Sequence, residues 1–366
     1  MRQPAHGGNL AWAAALAGCP PDAILDFSAS ISPLGPPSSA IAAILSQIGN
    51  LKHYPDPNYS ELRLALSHFH QLPPEWILPG NGSAELLTLI GRELAQLAAT
   101  TLITPAFGDY YRTLRAYNAK VLECPLSLVI GHSSLIVDKG QTQKSECRLP
   151  ALRTSRTLDK GLLLNNPHNP TGKLFLRDSI LPYLEQFALV VVDEAFMDFV
   201  PPNEEQSLIP VVQEYANLVV LRSLTKFYSL PGLRLGYAIA HPDWLAKWQL
   251  WRDPWPVNTL AAAAAIAALQ DTEFQQQTWA WLSPARNQLF QGLAEIPGLQ
   301  PQASAANFLL VESQQSTSQL QQQLLQHHQI LIRDCLSFKE LGDRFFRVAV
   351  REKSDNQRLL TALKES

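Results

Sequence analysis

Cysteine is scarce: Cys19, Cys124, Cys147 and Cys335 are the only four in 366 residues, far apart and with no CxxC pair. Such spacing excludes a disulfide framework and a cysteine-rich zinc site, and suits a reducing cytoplasm. Long hydrophobic runs are missing as well. No apolar stretch reaches the roughly 18–20 residues that a bilayer span requires, so a membrane protein is not expected. An excess of either charge is also absent. A formal net charge of −3 gives no global reason to bind nucleic acid or an anionic membrane, and any positive site must be local. No internal repeat is present. With 46% hydrophobic and 17% charged residues, the composition is that of a globular protein long enough for a large core and a smaller second one.

A short apolar run, Leu10 to Gly18, ends in Leu16-Ala17-Gly18-Cys19, which is similar to a lipoprotein cleavage site. Its only cationic flank is Arg2, and it runs straight into Pro20 and Pro21, so an Ala-rich amphipathic helix is expected instead. Ile24–Ser28 reads as a short strand and Ser32–Pro37 as a rigid turn, together forming an arm. From Ala40 helices and strands alternate. Helices are expected over 40–48, 59–68, 84–99 and 110–117, strands over 101–104 and 120–124, and a turn at Pro79–Gly82. Ser127–Lys160 breaks this rhythm and reads as a polar excursion.

Three apolar runs, Gly161–Asn165, Ala188–Asp193 and Leu218–Arg222, read as buried strands of a mostly parallel sheet with helices on both faces. Beyond residue 256 the pattern becomes α+β, with helices over 259–269, 271–294 and 317–328 and strands over 308–311, 330–333 and 345–350. The fold class is α/β, organised as an arm (1–38), a large domain (39–256) and a smaller α+β domain (257–366). In such sheets ligands gather at the carboxyl ends of the strands.

Four motifs sit at such places. The segment Ser223–Tyr237 sets Lys226 between hydroxyls and Arg234 in apolar surroundings. A lysine amine becomes a nucleophile toward an aldehyde when burial or a cationic neighbour lowers its pKa. Ser223 and Thr225 suit a phosphate. Pro79-Gly80-Asn81-Gly82-Ser83-Ala84-Glu85 is a turn opening into a helix, where free backbone N–H groups also favour phosphate, although a plain capped helix start has the same pattern. Asn165–Gly172, with two prolines and a glycine, aims an amide from a strand end. Val191–Phe196 leaves Asp193 at the end of an apolar strand, where a carboxylate is costly unless it meets a cation such as a protonated pyridine.

In order and spacing these motifs resemble the fold-type I pyridoxal-phosphate enzymes of the aspartate aminotransferase superfamily, over nearly the whole chain. The matching patterns are N-P-x-N-P-T-G at 166–172, D-E-A-[YF] at 193–196, S-x-x-K at 223–226 and the following Arg234. The resemblance implies pyridoxal 5′-phosphate as cofactor and no metal. It implies that Lys226 bonds the cofactor aldehyde and moves the proton at the substrate α-carbon. Asp193 would pair with the pyridinium nitrogen and Asn169 with the ring O3′. Ser83, Ala84, Ser223, Thr225 and Arg234 would hold the phosphate. Phe107 would stack on the ring, with Tyr110 as the alternative. Tyr54 matches a tyrosine that reaches the phosphate of a neighbouring subunit, which implies a homodimer with sites at the interface; loop packing is its plain alternative.

Within the superfamily the chain resembles two linked groups, histidinol-phosphate aminotransferases and L-threonine-O-3-phosphate decarboxylases of cobalamin biosynthesis. His6-Gly7-Gly8-Asn9, Asp26-Phe27-Ser28-Ala29, the lysine segment and Ile330–Cys335 are similar to the decarboxylases, as is Phe196, where aminotransferases usually carry tyrosine. The implied substrate is a small phosphorylated amino acid or amine held by His6, Gly7, Gly8, Ser32, Asn169, Arg333 and Arg347. Arg347 would grip a carboxylate and Arg333 would add a second cation. The common pattern N-x-N-P is Ser30-Ile31-Ser32-Pro33 here, which exchanges two amides for shorter hydroxyls. The bond that breaks is the one held perpendicular to the pyridine ring, so the side chains around the substrate choose the reaction. The implied reaction converts L-threonine O-3-phosphate to (R)-1-amino-2-propanol O-phosphate and CO2. The alternatives are a histidinol-phosphate aminotransferase using 2-oxoglutarate, and a non-catalytic pyridoxal-phosphate carrier.

Overall fold

Runs such as Leu189-Val190-Val191-Val192-Asp193 bury every residue, as strands covered on both faces do. The computed structural model describes residues 7–126, 146, 147, 149 and 158–366. Seven strands form the large sheet: β1 (Ile77–Asn81), β2 (Ala99–Thr104), β3 (Val121–Pro125), β4 (Lys160–Asn165), β5 (Leu189–Asp193), β6 (Leu218–Ser223) and β7 (Leu235–Ala240). Their order is β1-β7-β6-β5-β4-β2-β3, and of the seven only β7 runs against the rest. Alternate residues feed different cores: Leu162, Leu164, Val190, Val192 and Val220 pack on one face, Leu163, Val191, Val219 and Leu221 on the other.

A second sheet is antiparallel throughout, made of β8 (Leu299–Pro301), β9 (Phe308–Ser313), β10 (Arg333–Asp334) and β11 (Phe345–Ala349) in the order β8-β9-β11-β10. Between the sheets runs the amino-terminal arm. Leu25–Asp26 pairs in parallel with Ile330–Leu331, the Ala349 N–H donates to Phe27 O at 2.8 Å, and the Ser32 N–H donates to Lys226 O at 3.0 Å.

The first helix, Leu10–Ala17, is capped by Asn9 and stopped by Gly18 in the left-handed region. It is apolar on nearly every face rather than amphipathic, and only Ala13 and Ala14 are buried. Residues 77–81, expected to end in a turn from Pro79, form a strand instead. Pro79 is tolerated because β1 is an edge strand. The run expected as one strand over 330–333 is split, Ile330–Leu331 serving the arm and Arg333–Asp334 the second sheet. β7, the helix Pro242–Gln249 and the helix Lys353–Glu365 were not anticipated. Most of 127–157 lies outside the described residues; within it Glu146–Cys147 pairs with Leu174–Phe175. Among the described residues no helix is long and apolar enough to cross a membrane.

Candidate active site

Strands β4, β5 and β6 are neighbours, so Asn165, Asp193 and Ser223 emerge side by side at their carboxyl ends. They open onto a cavity of about 240 Å³. Lys226 lies one short helical turn beyond β6, in Leu224–Phe227, whose start is capped by Ser223 Oγ. Burial, reinforced by the Arg347 and Arg234 guanidinium groups, lowers the Lys226 amine to a pKa of about 8. Ser223 Oγ and Thr225 Oγ1 lie 2.8 Å apart beside it.

Asp193 is buried, and burial raises its pKa against the pull of its partners. Its Oδ2 accepts from the Tyr110 hydroxyl at 2.8 Å and its Oδ1 from the Ala195 N–H at 3.0 Å. A carboxylate in this position is a ready partner for a buried cation. Tyr110 is thus committed to Asp193, whereas Phe107 is half-buried on the cavity wall, edge-on to the Tyr110 ring at 5.7 Å. Of the two aromatics weighed for stacking, Phe107 is the one with no such bond to Asp193.

The helix Gly82–Leu94 starts at the opposite wall, with Ser83 and Ala84 lining the cavity. Gly82 has φ +70°, and a Cβ there would lie 2.7 Å from Arg234 Nη2, so glycine lets the arginine reach the turn. Arg234 is itself in the left-handed region and donates to Pro231 O at 3.0 Å.

Across the cavity, β10 and β11 set Arg333 directly opposite Arg347, and both line the wall. Arg347 is buried over the Phe308 ring at 4.8 Å, its Nη1 donates to Asn169 Oδ1, and its buried Nε has no hydrogen-bond partner among the described residues. Burial lowers its pKa to about 10. Arg333 Nη2 donates to Ser337 Oγ at 2.7 Å. Phe196 packs edge-on against Phe308 at 5.0 Å. His168, beside Asn169, is fully buried with Nδ1 2.8 Å from Thr171 Oγ1, and burial holds its pKa near 3.

Not every expected residue reaches this cavity. Gly7 lines it, but Gly8 is exposed, its N–H donating to Ser28 Oγ, and His6 lies outside the described residues. Ser32 is turned into the arm, where its carbonyl accepts from Ser229 Oγ at 2.7 Å; Ser30, whose buried hydroxyl has no partner among the described residues, occupies the wall instead. Tyr54 is 79% exposed, stacked on Trp255 at 4.5 Å, and is not on the wall. Among the described residues no group of His, Cys, Asp and Glu side chains could hold a metal ion.

Residues 22–363 match the family described as aminotransferase class I and II. The chain is 38% identical to a threonine-phosphate decarboxylase of Salmonella typhimurium, covering 98% of this chain and 96% of that one. It is 35% identical to histidinol-phosphate aminotransferase 2 of Ralstonia nicotianae, covering 79% and 74%. Among solved structures, the histidinol-phosphate aminotransferase of Clostridium acetobutylicum superposes with a TM-score of 0.80 at 28% identity, over 93% of this chain and 98% of that one. The L-threonine-O-3-phosphate decarboxylase of Porphyromonas gingivalis shares the fold with a TM-score of 0.79 at 23% identity, over the same shares.

Proposed function

Because the chain belongs to the class I and II aminotransferase family, we propose that it binds pyridoxal 5′-phosphate and decarboxylates L-threonine O-3-phosphate to (R)-1-amino-2-propanol O-phosphate. Its fold is that of the fold-type I enzymes of this family. The observation that carries the reading of the substrate is the pairing of Arg333 with Arg347 on one wall of the cavity. Like charges directly opposite in a sheet repel, and a substrate with both a carboxylate and a phosphate relieves that repulsion.

The residues present fit the cofactor: a lysine of lowered pKa, a buried carboxylate and a helix start with room for an arginine line one cavity. When bound, pyridoxal phosphate supplies a ring that draws electrons from a bond to the substrate α-carbon. Lys226 would hold the aldehyde and return a proton to the α-carbon. Asp193, oriented by Tyr110 and Ala195, would keep the ring nitrogen protonated. Asn169, whose oxygen is taken by Arg347, keeps its Nδ2 to donate to the ring oxygen. Ser83, Ala84, Ser223, Thr225 and Arg234 would hold the phosphate, and Phe107 and Phe196 would confine the ring. Arg347 would hold the substrate carboxylate and Arg333, with Gly7 and Ser30, its phosphate.

The large domain spans 39–256 and the small one 257–366, and the arm 1–38, described from residue 7 on, packs with the small one. A homodimer agrees with the exposure of Ile41, Leu45, Leu51 and Tyr54 along one stretch of chain. The free thiols Cys19, Cys124 and Cys335 agree with a reducing cytoplasm.

A histidinol-phosphate aminotransferase is the second reading, favoured by the Ralstonia relative, since the two arginines also suit the two carboxylates of 2-oxoglutarate. Incubation of the cofactor-loaded protein with L-threonine O-3-phosphate alone separates the two. Release of CO2 is expected; no CO2, with 2-oxoglutarate consumed in the presence of histidinol phosphate, would sink the decarboxylase reading.

A further inference from the structure

The phosphate-facing turn lies at an exposed place. It takes in the end of β1, the edge strand of the large sheet, whose Pro79, Gly80 and Asn81 pair with Tyr237, Gly236 and Leu235 of β7, and Asn81 is exposed. Yet the Ser83 and Ala84 N–H groups are useful to a phosphate only if they keep their direction. Two side chains outside the cavity hold the first three residues of this turn, one at Pro79 and one at Asn81. Glu85 Oε2 accepts from the Asn81 N–H at 2.6 Å, and Arg252 Nη1 donates to Pro79 O at 2.5 Å.

The two clamping groups also face each other, Arg252 Nη1 standing 3.9 Å from Glu85 Oε2. The Arg252 side chain is only 5% exposed and burial lowers its pKa, while burial raises that of Glu85. Burying a cation and a carboxylate this way is costly unless each has hydrogen-bonding work to do. Tyr59, Asp253 and Arg63 are near them; the Tyr59 hydroxyl is already engaged with both the carbonyl and the N–H of Val257, and the Arg63 guanidinium donates to Pro74 O. The backbone of the turn is therefore what Glu85 and Arg252 serve.

We infer that Glu85 and Arg252 form a clamp that positions Pro79–Ala84, the end of β1 and the start of the helix after it, for the cofactor phosphate. They are positioning residues: neither lines the cavity, and both act through backbone atoms of the turn. The inference rests on the pyridoxal-phosphate reading and adds to it a device that selects for the phosphate rather than for the ring.

The test compares two aldehydes, pyridoxal phosphate and pyridoxal, which differ only in the phosphate. Their affinities are measured by absorbance titration of the cofactor-stripped 366-residue chain. Glu85→Ala and Arg252→Met are each expected to weaken pyridoxal phosphate about tenfold, the equivalent of one charge-assisted hydrogen bond, and to leave pyridoxal within about twofold. Glu85→Gln, which keeps an acceptor oxygen but no charge, is expected to lose about threefold and carries the test if the other variants fail to fold. Equal losses for the two aldehydes, or no loss, would overturn the clamp alone. An unaltered protein that binds pyridoxal phosphate no better than pyridoxal would overturn the cofactor reading and the clamp with it.

Discussion

An amine enclosed at the end of a buried strand has lost much of its water, and Lys226 carries the consequence in a pKa lowered to about 8. Below that value the amine is protonated and inert toward an aldehyde; above it the neutral nucleophile predominates. Capture of pyridoxal phosphate by the cofactor-free protein should therefore quicken with pH and reach half its limit at about 8. A midpoint near the ordinary lysine value, followed by absorbance in a pH series, would contradict this. Lys226→Ala should show no covalently bound cofactor at any pH. At this scale much was legible, because Lys226, Asp193 and Asn169 each sit in a motif whose chemistry is local. The contrast between Ser30 and Ser32 was not, since two hydroxyls on the same side of an extended segment differ only in how far the arm has turned. Nor was the Tyr110–Asp193 bond, which joins residues that the sequence keeps 83 positions apart.

Strands β5 and β6 each use both faces of their carboxyl ends. Asp193 and Ser223 point into the cavity, whereas Glu194 and Arg222 point away from it and meet. Arg222 is buried among Glu194 at 3.0 Å, Glu205 at 2.6 Å, Asp198 and Ser207 Oγ at 3.0 Å. Burial raises Glu194 to a pKa of about 7, the Arg222 charge restraining it. Arg222→Met would strand several carboxylates in a low-dielectric interior and should cost about 3–5 kcal/mol, read as a lowered midpoint in urea unfolding. A loss under about 1 kcal/mol would show that the carboxylates simply take up protons. The three inner strands could be read from their apolar runs. β7 could not, because its first three residues belong to the lysine motif, and Pro79-Gly80 gave β1 the look of a turn. A strand's partners, which decide whether a proline can stay, are invisible along the chain.

For the molecule as a whole, the apolar face of the helix Ser38–Gln47 and the turn after it stands uncovered, with Leu45 64% and Leu51 60% exposed. If a second copy covers it, Leu45→Glu should shift the sedimentation coefficient toward the monomer and lower activity, because the exposed Tyr54 follows shortly after along the chain. Unchanged association would place the interface elsewhere. The change of rhythm near residue 256 is a feature of the sequence, but the arm's path could not be read there, since it depends on two sheets that the chain makes much later. That path has a bearing on how the molecule comes into being. Arg347 reaches back 319 positions to the carbonyl of Ser28, and Arg351 reaches 325 to that of Asp26. Contacts of such span form late, after the nearer pairings have given them something to join. In refolding followed by circular dichroism and aldehyde binding together, strand signal should return before the ability to bind. A half-made chain, fresh from synthesis, is thereby kept from seizing a reactive aldehyde until its shape is finished.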